Sequence, residues 1–307
     1  TTNSLTLTYL LKVIIMQGII LAGGSGTRLD PFTRLLSKHF LLIYNKLLFF
    51  YPLSLLMLMG IKNIHIISDP INIDHFKSII GNGEDYGIRV NYIIQSSPNG
   101  IAESLILNKE INKKDDVALI LGDNIFYGSE IHKTILKKAK DSLKKNKGLI
   151  VFVENKNPED FGVGVFDNSN KLINLEEKPN KPKSNQIITG LYFYPKNTYK
   201  KVEIQKPNPK KNHELCITDL NKSLLNDDKL DHICLGRGFS WFDTGTYDGY
   251  LEASNFIKIV ENKSDELIGS IEEVSYKNKW ISKKNLYNLA NRYRNKELRN
   301  SLLKIYK

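Results

Sequence analysis

Short apolar runs alternate with segments of helical length along this chain, and that alternation limits it to few folds. The run at 17–22, Gln-Gly-Ile-Ile-Leu-Ala, is mostly apolar and ends in glycines. Such a run suits a central parallel strand buried on both faces. Similar runs recur at 64–68, 90–94, 117–121 and 148–153, with helix-length segments between most of them. The pattern predicts an α/β fold with a doubly wound, mostly parallel sheet. Between 161 and 194 the strands shorten, 161–166 and 187–194 flanking the turn at Asn180-Lys181-Pro182, which predicts a small β-rich lobe. From Asp248 onward the text is helical, at 250–259 and then 283–305, with Leu286, Leu289, Leu302 and Ile305 set among charges. This tail is expected to cap the fold or to make a subunit contact.

There is no internal repeat and no low-complexity linker. The expected organisation is a core over 16–250 and a C-terminal helical segment over 251–307. Residues 1–15 lack the charged start and small-residue cleavage site of a secretory signal, and read as an extension dispensable for the chemistry. With 307 residues and 41% hydrophobic content, the chain can bury a large core. The formal net charge of +11 raises the question of a polyanionic partner. The lysines, however, are spread among Asn and Ile, and runs such as Lys137-Lys138 and Lys144-Lys145 suit solvated helix faces. No nucleic-acid partner is therefore expected. Cys216 and Cys234 are the only cysteines and form no CxxC pair, so neither a disulfide framework nor a zinc site is indicated. No apolar run reaches the about 20 residues that span a bilayer, which predicts a cytoplasmic protein without membrane contact.

Chemistry concentrates first at Leu21-Ala22-Gly23-Gly24-Ser25-Gly26-Thr27-Arg28-Leu29. Three glycines directly after a buried strand let backbone N–H groups approach phosphate oxygens, and Arg28 adds a permanent, fork-shaped phosphate partner. No Gly-Lys-Ser/Thr follows, and Leu29 stands where a dinucleotide fingerprint needs its third glycine. The bland alternative is a tight turn. Asp123 follows the run at 117–121, at the carboxyl edge where open α/β sheets bind ligands. Asp243 lies in a turn-like Asp-Thr-Gly-Thr stretch. Magnesium commonly takes one or two carboxylates together with substrate phosphates and waters, a requirement that Asp123 and Asp243 meet as a pair. Each alone also suits a helix cap or a turn.

The glycine loop, followed by Pro31 and Ser37-Lys38, resembles the signature of the sugar-nucleotide pyrophosphorylases, and within them the branch that transfers thymidylyl groups. The resemblance runs from Met16 to about Phe256. It passes through Tyr51-Pro52-Leu53-Ser54, Gln95-Ser96-Ser97-Pro98-Asn99-Gly100, Leu121-Gly122-Asp123-Asn124 and Glu176-Glu177-Lys178-Pro179. It continues through Thr189-Gly190-Leu191-Tyr192-Phe193-Tyr194, Ile217-Thr218-Asp219 and Trp241-Phe242-Asp243-Thr244-Gly245-Thr246. It implies Mg2+-dependent transfer of dTMP from dTTP to glucose 1-phosphate, with uridylyl, cytidylyl or adenylyl transfer as the nearest alternative and a silent binding or assembly relative as another. By the same resemblance Arg28, Lys38 and Lys178 are the catalytic cations, and Leu21, Gly23, Gly24, Ser25, Gly26, Thr27, Gln95, Gly100 and Asp123 bind the nucleotide. Gly162, Glu177 and Tyr192 hold the sugar, Asp123 and Asp243 hold the metal, and the enzyme is a homotetramer.

The chain departs from the family pattern in places. Leu42 and Leu47 stand where prolines are usual, His39 and Asn45 where Gln and Asp are common, and Asn212 where an arginine is offered to the sugar phosphate. Lys210, Lys211 or His213 are the candidate substitutes, without bidentate geometry. Proline lowers the entropy of the unfolded chain, so its loss predicts a looser loop behind Lys38 and weakened activity.

Overall fold

The computed structural model describes residues 16–24, 26–207, 213–264 and 266–305. The extension 1–15, Ser25, Lys210, Lys211 and Asn212 lie outside the described residues. The strands of the first half are β1 (Met16–Leu21), β2 (Leu42–Ile43), β3 (Lys46–Leu47), β4 (Asn63–Ser68), β5 (Arg89–Ile94), β6 (Asp116–Leu121) and β7 (Asn124–Gly128). Those of the second half are β8 (Gly148–Glu154), β9 (Gly162–Phe166), β10 (Leu172–Glu177), β11 (Gln186–Tyr194), β12 (Leu230–Leu235) and β13 (Phe239–Asp243).

The main sheet runs β10-β9-β11-β6-β1-β4-β5, with β8 beside β11 and β12 beside β8. Strands β6, β1, β4 and β5 are mutually parallel, as are β8 and β12. The long β11 runs antiparallel to β6, β8 and β9, and with β9 and β10 forms the smaller β-rich region. Alternate residues of a strand point to opposite faces, and here both faces are buried. Ile20, Ile66 and Ile120 enter one core, while Ile19, Ile67 and Leu119 enter another. That double burial explains why these strands read as continuous apolar text.

The tail caps the first core: Ile271, Val274, Ile281, Leu286 and Leu289 belong to it. Its detail differs from the single helix expected over 283–305. There are two helices, Lys283–Ala290 and Lys296–Lys304, because the Asn295 side chain accepts the backbone N–H groups of Glu297 and Leu298 and so starts a new one. The Tyr247–Lys263 helix begins before the expected position 250, where the Thr246 hydroxyl caps the Gly249 N–H. Among the described residues, no helix is long and apolar enough to cross a membrane.

Candidate active site

At the carboxyl end of β1 the chain turns sharply. Gly24 and Gly26 have φ of 100° and 61°, left-handed values that side chains resist. A Cβ on Gly26 would also lie 2.8 Å from Thr33 Cγ2, and the Thr33 hydroxyl donates to the Gly26 carbonyl at 2.9 Å. Buried Leu29 anchors the turn Thr27–Leu29, while Arg28 beside it stays largely exposed and sets a guanidinium nitrogen 3.9 Å from Asp243 Oδ2.

Asp243 meets Asp123 through strand pairing. In the antiparallel β7–β13 ribbon Asp243 lies opposite Asn124, the residue after Asp123. The Thr244 hydroxyl donates to the Asp123 carbonyl at 2.9 Å, which locks the junction. Asn124 Nδ2 donates to Asp123 Oδ1 at 3.1 Å, while Asn124 Oδ1 accepts from Trp241 Nε1 at 2.7 Å and from the Gly190 N–H at 2.9 Å. Asp123 Oδ2 accepts from the Lys38 ammonium. Burial alone would raise the Asp123 carboxyl, but the Lys38 charge together with the hydrogen bonds from Lys38 and Asn124 offsets it and holds the group below the usual carboxylate range. Asp243 moves the other way, raised by burial and then by the charge on Asp123. Two facing carboxylates driven apart in this way are a donor pair that a divalent cation would relieve. Among the described residues no group of three or more His, Cys, Asp or Glu is placed to hold a metal ion.

These residues open into a cavity of about 480 Å³, and Glu177, Lys178, Gly162 and Tyr192 form its far side. Thr218 Oγ1 donates to Glu177 Oε2 at 2.6 Å, and a Cβ on Gly162 would fall 3.3 Å from that same oxygen. Tyr192 is buried with its ring stacked on Tyr194 at 6.1 Å, and burial raises its hydroxyl well above the ordinary value. Lys178 adopts φ of 46°, a strained setting for a lysine, held by its N–H donating to the Phe161 carbonyl at 2.9 Å.

Gln95 and the glycine loop meet just beyond the carboxyl end of β1. Gly100, at φ 101°, leaves no room for a side chain: a Cβ would stand 2.4 Å from the Leu215 carbonyl oxygen. Gln95 Oε1 faces Gly23, whose Cβ would lie 3.5 Å away. Of the residues expected from the sequence, Arg28, Asp123, Gly162, Glu177, Lys178, Tyr192 and Asp243 line this cavity and Lys38 meets it through Asp123, whereas Leu21, Gly23, Gly24, Gly26, Thr27, Gln95 and Gly100 are not part of its lining. Sequence reasoning passed over Asn124, Trp241 and Thr218 as orienting residues, although each sits inside a quoted motif next to or near a chosen one.

The hairpin behind Lys38 is not loose. Phe49 and Leu48 donate backbone N–H groups to the carbonyls of His39 and Leu41. The Tyr51 hydroxyl binds the Ile43 carbonyl at 2.7 Å, and Tyr250 and Ser254 of the Tyr247–Lys263 helix bind Leu42 O and Tyr44 N. Lys46 pairs with Glu261 at 2.6 Å, both almost fully buried. Asn45 completes that cluster, donating to Glu261 Oε2 and accepting from Lys46. An aspartate at 45 would set two carboxylates against each other, which accounts for the Asn. His39 is buried with Ser37 Oγ 2.9 Å from Nδ1, and burial together with the Lys38 charge pushes it down to about 3, so it stays neutral.

Comparison with known proteins places the chain in a family. A family profile described as nucleotidyl transferase matches residues 17–259. A glucose-1-phosphate thymidylyltransferase of Neisseria meningitidis is 42% identical over 293 residues, 95% of this chain and 100% of that protein. One from Mycobacterium tuberculosis is 38% identical, covering 90% of this chain and 93% of its own. A solved Bacillus anthracis protein, assigned as a glucose-1-phosphate thymidylyltransferase and crystallised with sucrose, superposes with a TM-score of 0.72 at 31% identity, over 78% of this chain and 94% of that one. A UDP-glucose pyrophosphorylase bound to UDP-glucose, 22% identical with a TM-score of 0.69, shares the fold. A profile match across most of the length, with relatives aligned nearly end to end, shows that the chain belongs to the nucleotidyl transferase family.

Proposed function

We propose that the chain transfers dTMP from dTTP to glucose 1-phosphate, forming dTDP-glucose and pyrophosphate for dTDP-sugar biosynthesis. The observation that carries this reading is the convergence of the Asp123–Asp243 pair, the cations Arg28, Lys38 and Lys178, and the Glu177 side of the cavity on one space. The relatives at 38–43% identity named for this reaction support the same substrates. In the reaction a phosphate oxygen of the sugar phosphate attacks the α-phosphorus, and the bond to the bridging oxygen breaks to release pyrophosphate. Positioning and charge neutralisation dominate such a transfer, so no covalent nucleophile is required.

In this reading Arg28 neutralises the leaving phosphates at the glycine loop, and Lys38 and Lys178 balance charge at the transferring phosphorus. Asp123 and Asp243 would hold Mg2+, which when bound would offset the negative charge of the nucleotide phosphates. Asn124 keeps Asp123 oriented, and Gln95 with Gly100 meets the base. The enzyme works as a cytoplasmic homotetramer, and light scattering that gives another stoichiometry would remove the tetramer.

Glu177 accepts hydrogen bonds from glucose hydroxyls, steadied by Thr218. Glu177→Ala is expected to raise KM for glucose 1-phosphate by about 10-fold to 100-fold, the worth of a hydrogen bond to a charged group. KM for dTTP should change little; steady-state kinetics varying each substrate in turn would expose an equal rise in both, contrary to this role. The reaction itself is tested by pyrophosphate release with Mg2+, glucose 1-phosphate and, in parallel, dTTP, UTP, CTP and ATP. Highest kcat/KM with dTTP is expected, whereas no release with any nucleotide would point to a silent relative.

A further inference from the structure

The amide of Gln95 is held in one orientation. Its Nε2 donates to Glu103 Oε2 at 2.6 Å and lies 3.5 Å from the Gly100 carbonyl oxygen, both of them acceptors. The other Glu103 oxygen accepts from Asn99 Nδ2 at 2.8 Å, so one carboxylate gathers two side chains of the same loop. An ionised carboxylate has no proton to donate. Turning the amide over would set the Gln95 oxygen against Glu103 and the Gly100 carbonyl, replacing two attractions by two repulsions. The backbone reinforces the arrangement: Leu215 N–H donates to the Asn99 carbonyl at 2.7 Å, and Ala102 N–H to the Leu215 carbonyl at 3.2 Å. Gln95 is buried, and its remaining polar atom, Oε1, looks over Gly23 at the carboxyl end of β1. The side chain therefore offers the glycine loop an acceptor and nothing else.

We propose that Glu103 is a specificity-determining residue, which by fixing the Gln95 amide makes the site select a pyrimidine that carries hydrogen on N3. The inference rests on Gln95 and Gly100 meeting the base, as in the function proposed above. Thymine and uracil present N3–H as a donor to Oε1. Cytosine presents a lone pair at the same ring position, so two acceptors would face each other in a buried setting, where an unmade hydrogen bond is most costly. Glu103 acts through Gln95 and is a positioning residue, not a catalytic one.

The nucleotides dUTP and dCTP differ only in the 4-substituent and the N3 proton, so the ratio of their kcat/KM values with glucose 1-phosphate reads the N3 edge. In the full-length wild-type enzyme the ratio favours dUTP. In Glu103→Gln the new amide both donates and accepts, Gln95 gains its second orientation, and the ratio is expected to fall by about tenfold or more. Glu103→Ala should lower it in the same direction, and thermal melts identify variants that remain folded. A purely structural role would slow both nucleotides alike and leave the ratio unmoved in folded variants, an outcome that overturns the proposal. If wild type prefers dTTP while the variants keep full selectivity, only the role of Glu103 fails. If wild type shows no preference for dTTP and dUTP over dCTP, the thymidylyl reading fails with it.

Discussion

Replacing Asp123 with alanine is expected to lower kcat for nucleotidyl transfer by on the order of 10²–10³-fold, the scale seen when one preorganised electrostatic contact is removed from a transferring group. Asp123 is buried and fixed on both oxygens, by Asn124 Nδ2 on one and the Lys38 ammonium on the other. Its loss leaves Asp243 as the remaining carboxylate of the pair and leaves Lys38 without the anion that orients it. The fold should survive, because Asn124 is still held by Trp241 and Gly190, and the Asp123 carbonyl still accepts from Thr244. If the pair holds Mg2+ as proposed, higher Mg2+ should recover part of the rate, since Asp243 remains. Pyrophosphate release at saturating substrates across a Mg2+ titration measures both effects. A variant within threefold of wild type, roughly 0.6 kcal/mol of barrier, at all Mg2+ concentrations would remove Asp123 from the metal and phosphate machinery.

How legible this was in the sequence depended on the range of the interaction. The strands β1, β4, β6 and β8 were readable almost to the residue, because burial on both faces writes apolar text that needs no partner to interpret. The glycine loop was readable for a similar reason: left-handed φ at Gly24 and Gly26 is a local demand that glycine satisfies. The orienting role of Asn124 was not readable, since its partner Trp241 lies 117 positions away and meets it only through the β7–β13 ribbon. Glu103 was hidden likewise, as an ordinary acidic residue in the first turn of a short helix. The break at Asn295 was missed because the apolar spacing of Leu286, Leu289 and Leu302 continues across it, whereas the cap that starts the second helix is polar. The expected looseness behind Lys38 counted the missing prolines at 42 and 47 but not the tertiary anchors, which come from a helix two hundred residues later.

Those anchors carry the second large effect: Lys46→Met is expected to destabilise the protein by about 3–5 kcal/mol, as is usual when one partner of a buried ion pair is removed. Lys46 and Glu261 are 3% and 5% exposed at their side chains, so neither can turn to water when the other is lost. The pair itself need not add net stability. Burial pushes the Lys46 ammonium below its ordinary value in spite of Glu261 beside it, which means that desolvation outweighs the attraction. Removing Lys46 keeps the burial of Glu261 and discards its main compensation, leaving Asn45 Nδ2 as the remaining donor of the cluster. The double variant Lys46→Met/Glu261→Leu removes both charges and should recover most of the loss, whereas the single variant cannot. Urea unfolding of the wild type, both singles and the double closes the cycle, and a Lys46→Met loss under about 1 kcal/mol, the scale of an exposed pair, would show that Glu261 finds water or protonates instead. Because the hairpin that carries Lys46 starts just beyond the turn Lys38–Phe40, the same strain should lower kcat in the single variant. The double variant, with its hairpin still tied by Tyr250, Ser254 and Tyr51, should regain turnover along with stability.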